Sequence, residues 1–130
     1  MGGGAIGLAT AWRAAQQGLR VVVLERDRAG GGASHVAAGM LAPVTEVTLV
    51  ERQGLSLGLA SAERYPSFVE ELREVSGLDP GYWACGTLIL ARDADEAEAL
   101  ERELALRRDL GLSVQRLRPS RARELEPALA

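Results

Sequence analysis

The chain has 130 residues, 47% of them hydrophobic and 25% charged, which is enough for a domain with its own core. Its net charge of −3 gives no support for nucleic-acid binding, and no apolar stretch approaches the ~20 residues of a membrane span. No basic segment precedes an apolar run, so no signal peptide is visible. The single cysteine, Cys85, excludes an internal disulfide framework and a cysteine-cluster metal site, and we expect a reducing, cytoplasmic location.

The glycine-rich start of the chain predicts a phosphate-binding turn. Gly2, Gly4 and Gly7 have the spacing G-x-G-x-x-G. In this motif the first glycine allows a tight turn, the second lets the backbone approach a pyrophosphate, and the third lets the following helix pack closely on a sheet. The amides and the positive dipole end of that helix face the anion. The spacing alone is a weak signal, because a glycine-rich turn can be only a turn.

The residues that follow supply the context that a dinucleotide site requires. A helix is expected over residues 5–17, with Gly18 as its stop. Residues 19–24 are a nearly continuous apolar run, which is typical of a strand buried on both faces of a parallel sheet. Glu25 ends the run eighteen residues after Gly7, close to the ~20 residues at which the fingerprint places an acid on the ribose. Together these elements predict a dinucleotide-binding α/β domain.

The same motif requires a buried strand before the glycines, and only Met1 precedes Gly2. In this fold the missing strand is the centre of the sheet. We therefore expect the chain to be a fragment of a longer protein, or one whose start has been misassigned.

A second stretch of small residues covers positions 29–41 and consists mostly of glycine and alanine. Such residues cannot fill a core, but they leave the backbone accessible to a flat, bulky ligand. The alternative is a mobile surface loop. We favour the ligand interpretation, because a linker would carry more polar residues and would not end in an apolar Gly-Met-Leu-Ala-Pro segment.

Three segments, "GGGAIG", "VVVLER" and "GGGASHVAAGMLAP", resemble the flavin-binding N-terminus of the D-amino-acid oxidase family. The chain looks most like the bacterial glycine oxidase branch, which serves thiamine biosynthesis, and residues 63–90 and 118–129 are similar to that branch as well. The resemblance implies a Rossmann-like FAD-binding domain over residues 1–83, truncated at its first strand. It also implies the start of an α+β substrate domain over residues 84–130.

The resemblance further implies which residues bind the cofactor. By position, the glycine turn would face the pyrophosphate of FAD, Glu25 and Arg26 would lie at the adenosine ribose, and small residues of the second stretch would line the path to the flavin ring. Family members often carry Arg-Thr or Arg-Gly where this chain has Gly32-Ala33, so backbone rather than side-chain hydrogen bonds are expected there. The implied cofactor-binding residues are Gly2, Gly4, Ala5, Ile6, Gly7, Glu25, Arg26, Ala33, Ser34, Ala38, Gly39 and Met40.

The rest of the chain predicts further helices. A helical period runs over residues 55–76, and because its apolar phase continues across Pro66 we favour one kinked helix over two. Two overlapping acidic starts, at Asp93 and Asp95, resemble capping boxes and predict a charged surface helix that ends near Leu110.

Two short strands and a last helical turn complete the prediction. The strands are expected over residues 86–91 and 113–117, and Ser120 is expected to cap a final turn that ends at Leu125. We place the change of domain near Trp83, where the family's substrate domain would begin.

No catalytic residue and no metal site is predicted in this chain. The only histidine, His35, has no acid at a catalytic spacing and is interpreted as a loop residue. All 15 basic residues are arginines, so the chain offers no lysine base.

The resemblance implies an FAD-dependent oxidase that acts on the C–N bond of glycine, a small amino acid or a secondary amine, with oxygen as the acceptor and hydrogen peroxide as a product. Three alternatives stay open. These are an FAD-dependent D-amino-acid or glycerol-phosphate dehydrogenase that passes electrons to a quinone, an NAD-dependent enzyme, and an inactive gene fragment. No nucleic-acid partner is expected, and the oligomeric state, a homo-oligomer included, is open.

Overall fold

The structure is a computed structural model that describes residues 2–46 and 54–129. Within these ranges the chain divides into two compact units, Met1–Met40 and Leu41–Ala130, here called the N-terminal and C-terminal units. This division concerns compactness alone, and the predicted change of domain near Trp83 stays a prediction. The helices of the described ranges are α1 (Ala5–Gln16), α2 (Ala33–Val36), α3 (Leu55–Ser76), α4 (Ala94–Asp109) and α5 (Pro119–Leu125).

Helix α1 follows the glycine turn as predicted and ends at Gln16, one residue before the predicted end. Gly18 has a φ of +78°, which favours glycine, and its N–H donates to the Ala15 carbonyl at 2.9 Å. The next amide, that of Leu19, donates to the Ala14 carbonyl at 3.1 Å. The predicted helix stop at Gly18 is therefore confirmed.

The predicted strands are absent from the residues that the structure describes. Residues 19–24, 86–91 and 113–117 have no regular secondary structure. Val22 and Leu24, which we expected to be buried, are 78% and 73% exposed. A strand exists only through hydrogen bonds to a neighbouring strand, and a doubly buried strand also needs a layer on each face. The described residues supply neither, so the strand predictions are not met here.

In the C-terminal unit, α3 is a single helix of 22 residues that contains Pro66, which confirms the prediction of one helix rather than two. Its buried residue is Val69, on the predicted apolar face. Gly77, at a φ of +69°, ends the helix by donating its N–H to the Arg73 carbonyl at 2.9 Å. Within the described residues no helix is both long enough and apolar enough to cross a membrane.

The first of the two predicted acidic starts begins α4. The Asp93 side chain accepts the Glu96 N–H at 2.8 Å, and the Glu96 carboxylate in turn accepts the Arg92 N–H at 2.8 Å. This arrangement resembles a capping box shifted by one residue. Asp95 lies inside the first turn, where its charge suits the helix dipole.

One residue of α4 contradicts its interpretation as an ordinary surface helix. The Arg107 side chain is only 4% exposed. Its guanidinium donates to the carbonyls of Val44 at 2.9 Å and Thr45 at 2.7 Å, and to the Glu103 carboxylate at 2.9 Å. A planar group with five donors can satisfy all three acceptors at once, which is why a charge can be buried here.

The predicted cap of the last helix is also wrong. Helix α5 begins at Pro119, with Arg118 as the N-cap residue, so Ser120 lies inside the helix. Proline suits the first helical position, because its φ is already helical and its missing N–H would have no partner there.

Candidate functional site

The centre of the candidate site is Gly3, which sequence analysis did not single out. Gly3 is buried, and both of its backbone groups are bonded. Its N–H donates to Glu25 Oε2 at 2.7 Å, and its carbonyl accepts the Gly30 N–H at 2.7 Å. A Cβ at this position would lie 3.2 Å from the Cβ and Oε2 of Glu25 and 3.3 Å from the Ala29 Cα. The unbroken run of three glycines was the signal for this close approach.

The Glu25 carboxylate accepts hydrogen bonds from three backbone amides. Besides the Gly3 amide on Oε2, its Oε1 accepts the N–H groups of Arg26 at 2.8 Å and Asp27 at 3.2 Å. The hydrogen bond from Asp27 N–H, followed by that from Gly3 N–H, lowers the pKa of the Glu25 carboxyl. Each carboxylate oxygen can accept about two hydrogen bonds, so Oε2 retains room for one more.

The start of α1 offers backbone donors. Ala5 N–H donates to Ser34 Oγ at 2.9 Å, and Leu8 N–H closes the first helical turn on the Gly4 carbonyl at 2.9 Å. The amides of Ile6 and Gly7, between them, belong to the first turn, where an α-helix provides no acceptor. The first turn carries no acidic side chain. No acidic side chain of α1 therefore offsets the positive end of its helix dipole.

Part of the second small-residue stretch is helical rather than a loop, which corrects the sequence interpretation. Helix α2 is a single turn that follows Gly32, whose carbonyl accepts the His35 N–H at 2.9 Å. This turn carries Ser34, whose hydroxyl meets the start of α1. Gly39, at a φ of +80°, lies beyond α2, and Met40 is 69% exposed.

An open groove of about 510 Å³ lies beside the start of α1. Of the predicted cofactor-binding residues, Ala5 and Ser34 line it. Arg26 does not, and its side chain is 92% exposed beside Asp27. The full lining is Ala5, Leu8, Arg28, Ala29, Gly30, Ser34 and His35.

Sequence analysis also missed Arg28, the one arginine in the groove lining. Its side chain lies over Gly31, where a Cβ would be 2.7 Å from the Arg28 Cγ. The second arginine of the Arg-Asp-Arg segment was the only sequence signal, and it does not distinguish Arg28 from the solvent-exposed Arg26. His35 lines the same groove, and the described part of the chain contains no group of three or more metal-binding side chains.

These residues fit the pyrophosphate of a dinucleotide. The groove combines a helix N-terminus, a hydroxyl on Ser34 and a cation on Arg28, and no acid is among its lining residues. The backbone at Gly4 is close to its neighbours, since a Cβ there would lie 3.3 Å from Ser34 Oγ. The described residues thus bring the glycine turn, Glu25 and Ser34 together within the N-terminal unit.

Comparisons with known proteins identify the class. The whole chain, residues 1–130, matches the family described as FAD dependent oxidoreductase, and the protein belongs to that family. It is 38% identical over 130 residues to the protein named Glycine oxidase of Geobacillus kaustophilus, a match that covers all of this chain and 34% of that relative.

Two further relatives have related names. The chain is 48% identical over 90 residues to the Bifunctional protein ThiO/ThiG of Synechocystis, covering 68% of this chain and 13% of the relative. It is 35% identical over 101 residues to the Glycine oxidase of Pseudomonas aeruginosa, covering 78% of this chain and 27% of that protein. The chain thus spans about a third or less of the length of these curated relatives. No solved structure gives a significant match.

Proposed function

We propose that this chain is the FAD-binding part of an oxidase that acts on the C–N bond of glycine, a small amino acid or a secondary amine such as sarcosine. The 38% identity to a glycine oxidase over the whole chain carries the proposal. A Rhizobium etli relative named Putative thiamine biosynthesis oxidoreductase ThiO, 35% identical over 99 residues, supports a role in thiamine biosynthesis. We place the enzyme in the cytoplasm. Below, "the full-length protein" means this sequence within a chain of the relatives' length.

The proposal includes the Rossmann-like α/β fold. In the full-length protein the apolar segment 19–24 would become a buried strand when a neighbouring strand and covering layers are present. Residues 1–83 would then belong to the FAD domain, and residues 84–130 would begin the substrate domain. Family membership supports FAD over NAD, the alternative that the glycine fingerprint left open.

The start of α1 would hold the pyrophosphate. The N–H groups of Ile6 and Gly7 lie in the first turn, where the helix provides no acceptor, and would donate to the phosphates. Gly2 and Gly4 would let the phosphates approach the backbone. The Ala5 N–H donates to Ser34 Oγ. The Ser34 hydroxyl would therefore use its own proton to donate to a phosphate oxygen. Arg28 adds a positive charge in the same groove.

Glu25 would bind the adenosine ribose. Oε1 already accepts two amides and Oε2 accepts one, so the acceptor position left for a ribose hydroxyl is on Oε2. Arg26 is next in the chain, its N–H donates to Glu25 Oε1, and its side chain is exposed. The remaining implied contacts, Ala33, Ala38, Gly39 and Met40, would line the path to the flavin ring.

Bound FAD supplies the redox chemistry, namely acceptance of a hydride from the carbon next to the amine and transfer of the electrons to oxygen. The balanced reaction converts the amine and O₂ to the imine and H₂O₂, and water then releases the oxo acid and ammonia or an amine. This chain's residues bind and orient the cofactor, and we assign none of them a catalytic role.

Oxygen consumption and peroxide formation by the purified full-length protein with glycine and sarcosine test the reaction. We expect one peroxide for each oxygen consumed. Flavin reduction without peroxide would indicate the quinone-linked dehydrogenase instead, and no flavin reduction by any small amine would contradict the proposed chemistry.

Titration of the cofactor-free full-length protein with FAD tests the site. Glu25→Ala should weaken binding about ten- to a hundredfold, the scale of a lost hydrogen bond to a charged group. Unchanged affinity would remove Glu25 from the ribose site.

A further inference from the structure

We infer that Glu25 is also a positioning residue, which shapes the phosphate-binding turn by holding the Gly3 amide before any cofactor arrives. The inference rests on the proposed FAD site and assigns its acidic residue a second task. The ribose contact concerns one end of the cofactor, whereas the Gly3 contact concerns the shape of the turn that receives the pyrophosphate.

The hydrogen bonds are the first support. Glu25 and Gly3 are 22 residues apart in the chain, and their bond of 2.7 Å links the glycine turn to the residue that follows the apolar segment 19–24. The amides of Arg26 and Asp27 hold the same carboxylate from the other side. The carboxylate is therefore held at three points by backbone amides of this chain.

The space around Gly3 is the second support. A methyl group at Gly3 would approach the side chain of Glu25 and the backbone of Ala29 to 3.2–3.3 Å, tighter than most side chains tolerate. At the neighbouring Gly2, a Cβ would meet Glu25 Oε2 at 3.6 Å, an ordinary contact. A side chain at the middle position of the turn would therefore have to displace Glu25 and the Ala29 backbone by a few tenths of an ångström.

The link continues from Gly3 to the groove. The Gly3 carbonyl accepts the Gly30 N–H at 2.7 Å, and Gly30 lines the groove together with Arg28 and Ala29. Among the hydrogen bonds of Glu25, the one from the Gly3 N–H links it to the residue whose carbonyl binds the Gly30 amide. If Glu25 positions the turn, its removal must loosen the Gly30 amide as well as the Gly3 amide.

Hydrogen–deuterium exchange of the cofactor-free full-length protein tests this directly. In Glu25→Ala we expect exchange to accelerate about tenfold at both Gly3 and Gly30, the scale of one lost hydrogen bond. The matched control is Asp27→Ala, which removes an exposed carboxylate whose recorded ion pair is with Arg26 at 3.6 Å. The control should leave both amides protected. Unchanged exchange at Gly30 in Glu25→Ala would overturn the inference.

Binding of inorganic pyrophosphate separates positioning from ribose recognition, because this probe has no ribose. Calorimetry should show about tenfold weaker pyrophosphate binding in Glu25→Ala and in Gly3→Ala, with Gly54→Ala, where a Cβ meets open space, as the control. Unchanged pyrophosphate affinity together with weakened FAD affinity in Glu25→Ala would leave Glu25 with the ribose role alone and would overturn the inference.

Two further outcomes keep the inference and the proposed function apart. A wild-type protein that binds pyrophosphate but not FAD would contradict the proposed function, while the variants would still decide the role of Glu25. If Glu25→Ala does not fold, Glu25→Gln serves instead, because its single acceptor oxygen cannot serve Gly3 and the Arg26 and Asp27 amides together. We expect intermediate exchange rates for that variant, and wild-type rates at both glycines would overturn the inference.

Discussion

The two units of this protein bury different kinds of residue. Among the described residues, those buried in the N-terminal unit are Gly3 and Gly7, whereas in the C-terminal unit they are Val69, Arg107 and Ala122. The N-terminal unit is held by hydrogen bonds between backbone groups and two side chains, over separations of 22 and 29 residues. The C-terminal unit contains α3, α4 and α5, and its buried guanidinium, that of Arg107, is hydrogen-bonded to backbone carbonyls and to Glu103.

The proposed function accounts for this difference between the buried residues of the two units. A site that binds phosphate through its backbone needs small residues, and small residues contribute little apolar area to a core. In place of an apolar core, hydrogen bonds from Gly3 to Glu25 and from Ala5 to Ser34 stabilise the N-terminal unit. The C-terminal unit has larger side chains, and its buried Arg107 fastens the segment around Val44 to α4.

Two arginines illustrate the same contrast. Arg28 lies exposed in the groove of the N-terminal unit, where its charge is available to an anion. Arg107 is buried in the C-terminal unit with its donors already bonded. We propose that Arg28 binds the pyrophosphate and that Arg107 stabilises the fold, and substitutions should separate the two roles.

The largest effect is expected in the N-terminal unit at Ala38 and Gly39. Ala38→Leu or Gly39→Val should abolish FAD retention by the full-length protein, because neither leaves room for the cofactor beside the backbone. At Gly39 the φ of +80° adds backbone strain. The flavin absorption spectrum after gel filtration measures retention.

The matched control for Ala38→Leu is Ala60→Leu, on an exposed position of α3 in the other unit. It should purify with its flavin. A yellow Ala38→Leu protein with a normal spectrum would show that the stretch over residues 30–41 does not approach the flavin.

The next effect concerns stability. Arg107→Met should lower the free energy of unfolding by about 1–3 kcal/mol, because the carbonyls of Val44 and Thr45 lose their donor. Urea denaturation measures the change. Arg108→Met, at an exposed neighbour on the same helix, should change it by less than about 0.5 kcal/mol. Equal effects of the two substitutions would contradict the structural role of Arg107.

A smaller effect on binding is expected at Arg28. Arg28→Gln should weaken FAD affinity about three- to tenfold and reduce its dependence on salt, because one exposed cation near the pyrophosphate is lost. Arg20→Gln removes the same charge from an exposed position outside the groove lining and should leave the affinity unchanged. FAD titrations at two salt concentrations check both variants, and an unaltered salt dependence in Arg28→Gln would exclude the contact.

The smallest effect is a dependence on pH. The pKa of Glu25 is lowered in the folded protein by hydrogen bonds from Asp27 and Gly3, so its contribution is complete above the unfolded value of about 4.3. The contribution is lost as the pH falls through the lower folded pKa. Exchange of the Gly3 amide, corrected for its intrinsic pH dependence, should therefore stay slow at pH 5 and accelerate only as the pH falls below the unfolded value of about 4.3. The same dependence on pH in Glu25→Ala would argue against the carboxylate as its source.

A comparison of the 130-residue chain with the full-length protein tests the proposal that this chain is one part of an oxidase. We expect the 130-residue chain alone to retain no FAD after filtration, because Val22, Leu24 and other large apolar residues are exposed and residues 19–24 have no neighbouring strand among the described residues. Stoichiometric FAD on the isolated chain would contradict this expectation.

The sequence by itself determined the local structure. Periodicity and glycine stops predicted α1, α3 and α4 to within one residue at most ends, since Gly18 and Gly77 suit left-handed backbone and Asp93 suits a cap. The glycine spacing and the acid at residue 25 also predicted that both belong to one dinucleotide site, which stays a prediction. These features depend on neighbours close in the chain or on a motif whose geometry is general.

The tertiary structure decided what no local pattern encodes. The bond from Gly3 to Glu25, the meeting of Ser34 with the start of α1 and the burial of Arg107 join residues 22 to 63 positions apart. The strand predictions are not met among the described residues for the same reason, because apolar composition favours a strand but only a partner's hydrogen bonds create one. An arginine on a charged helix reads as exposed, and only the carbonyls that the fold brings to Arg107 make its burial favourable.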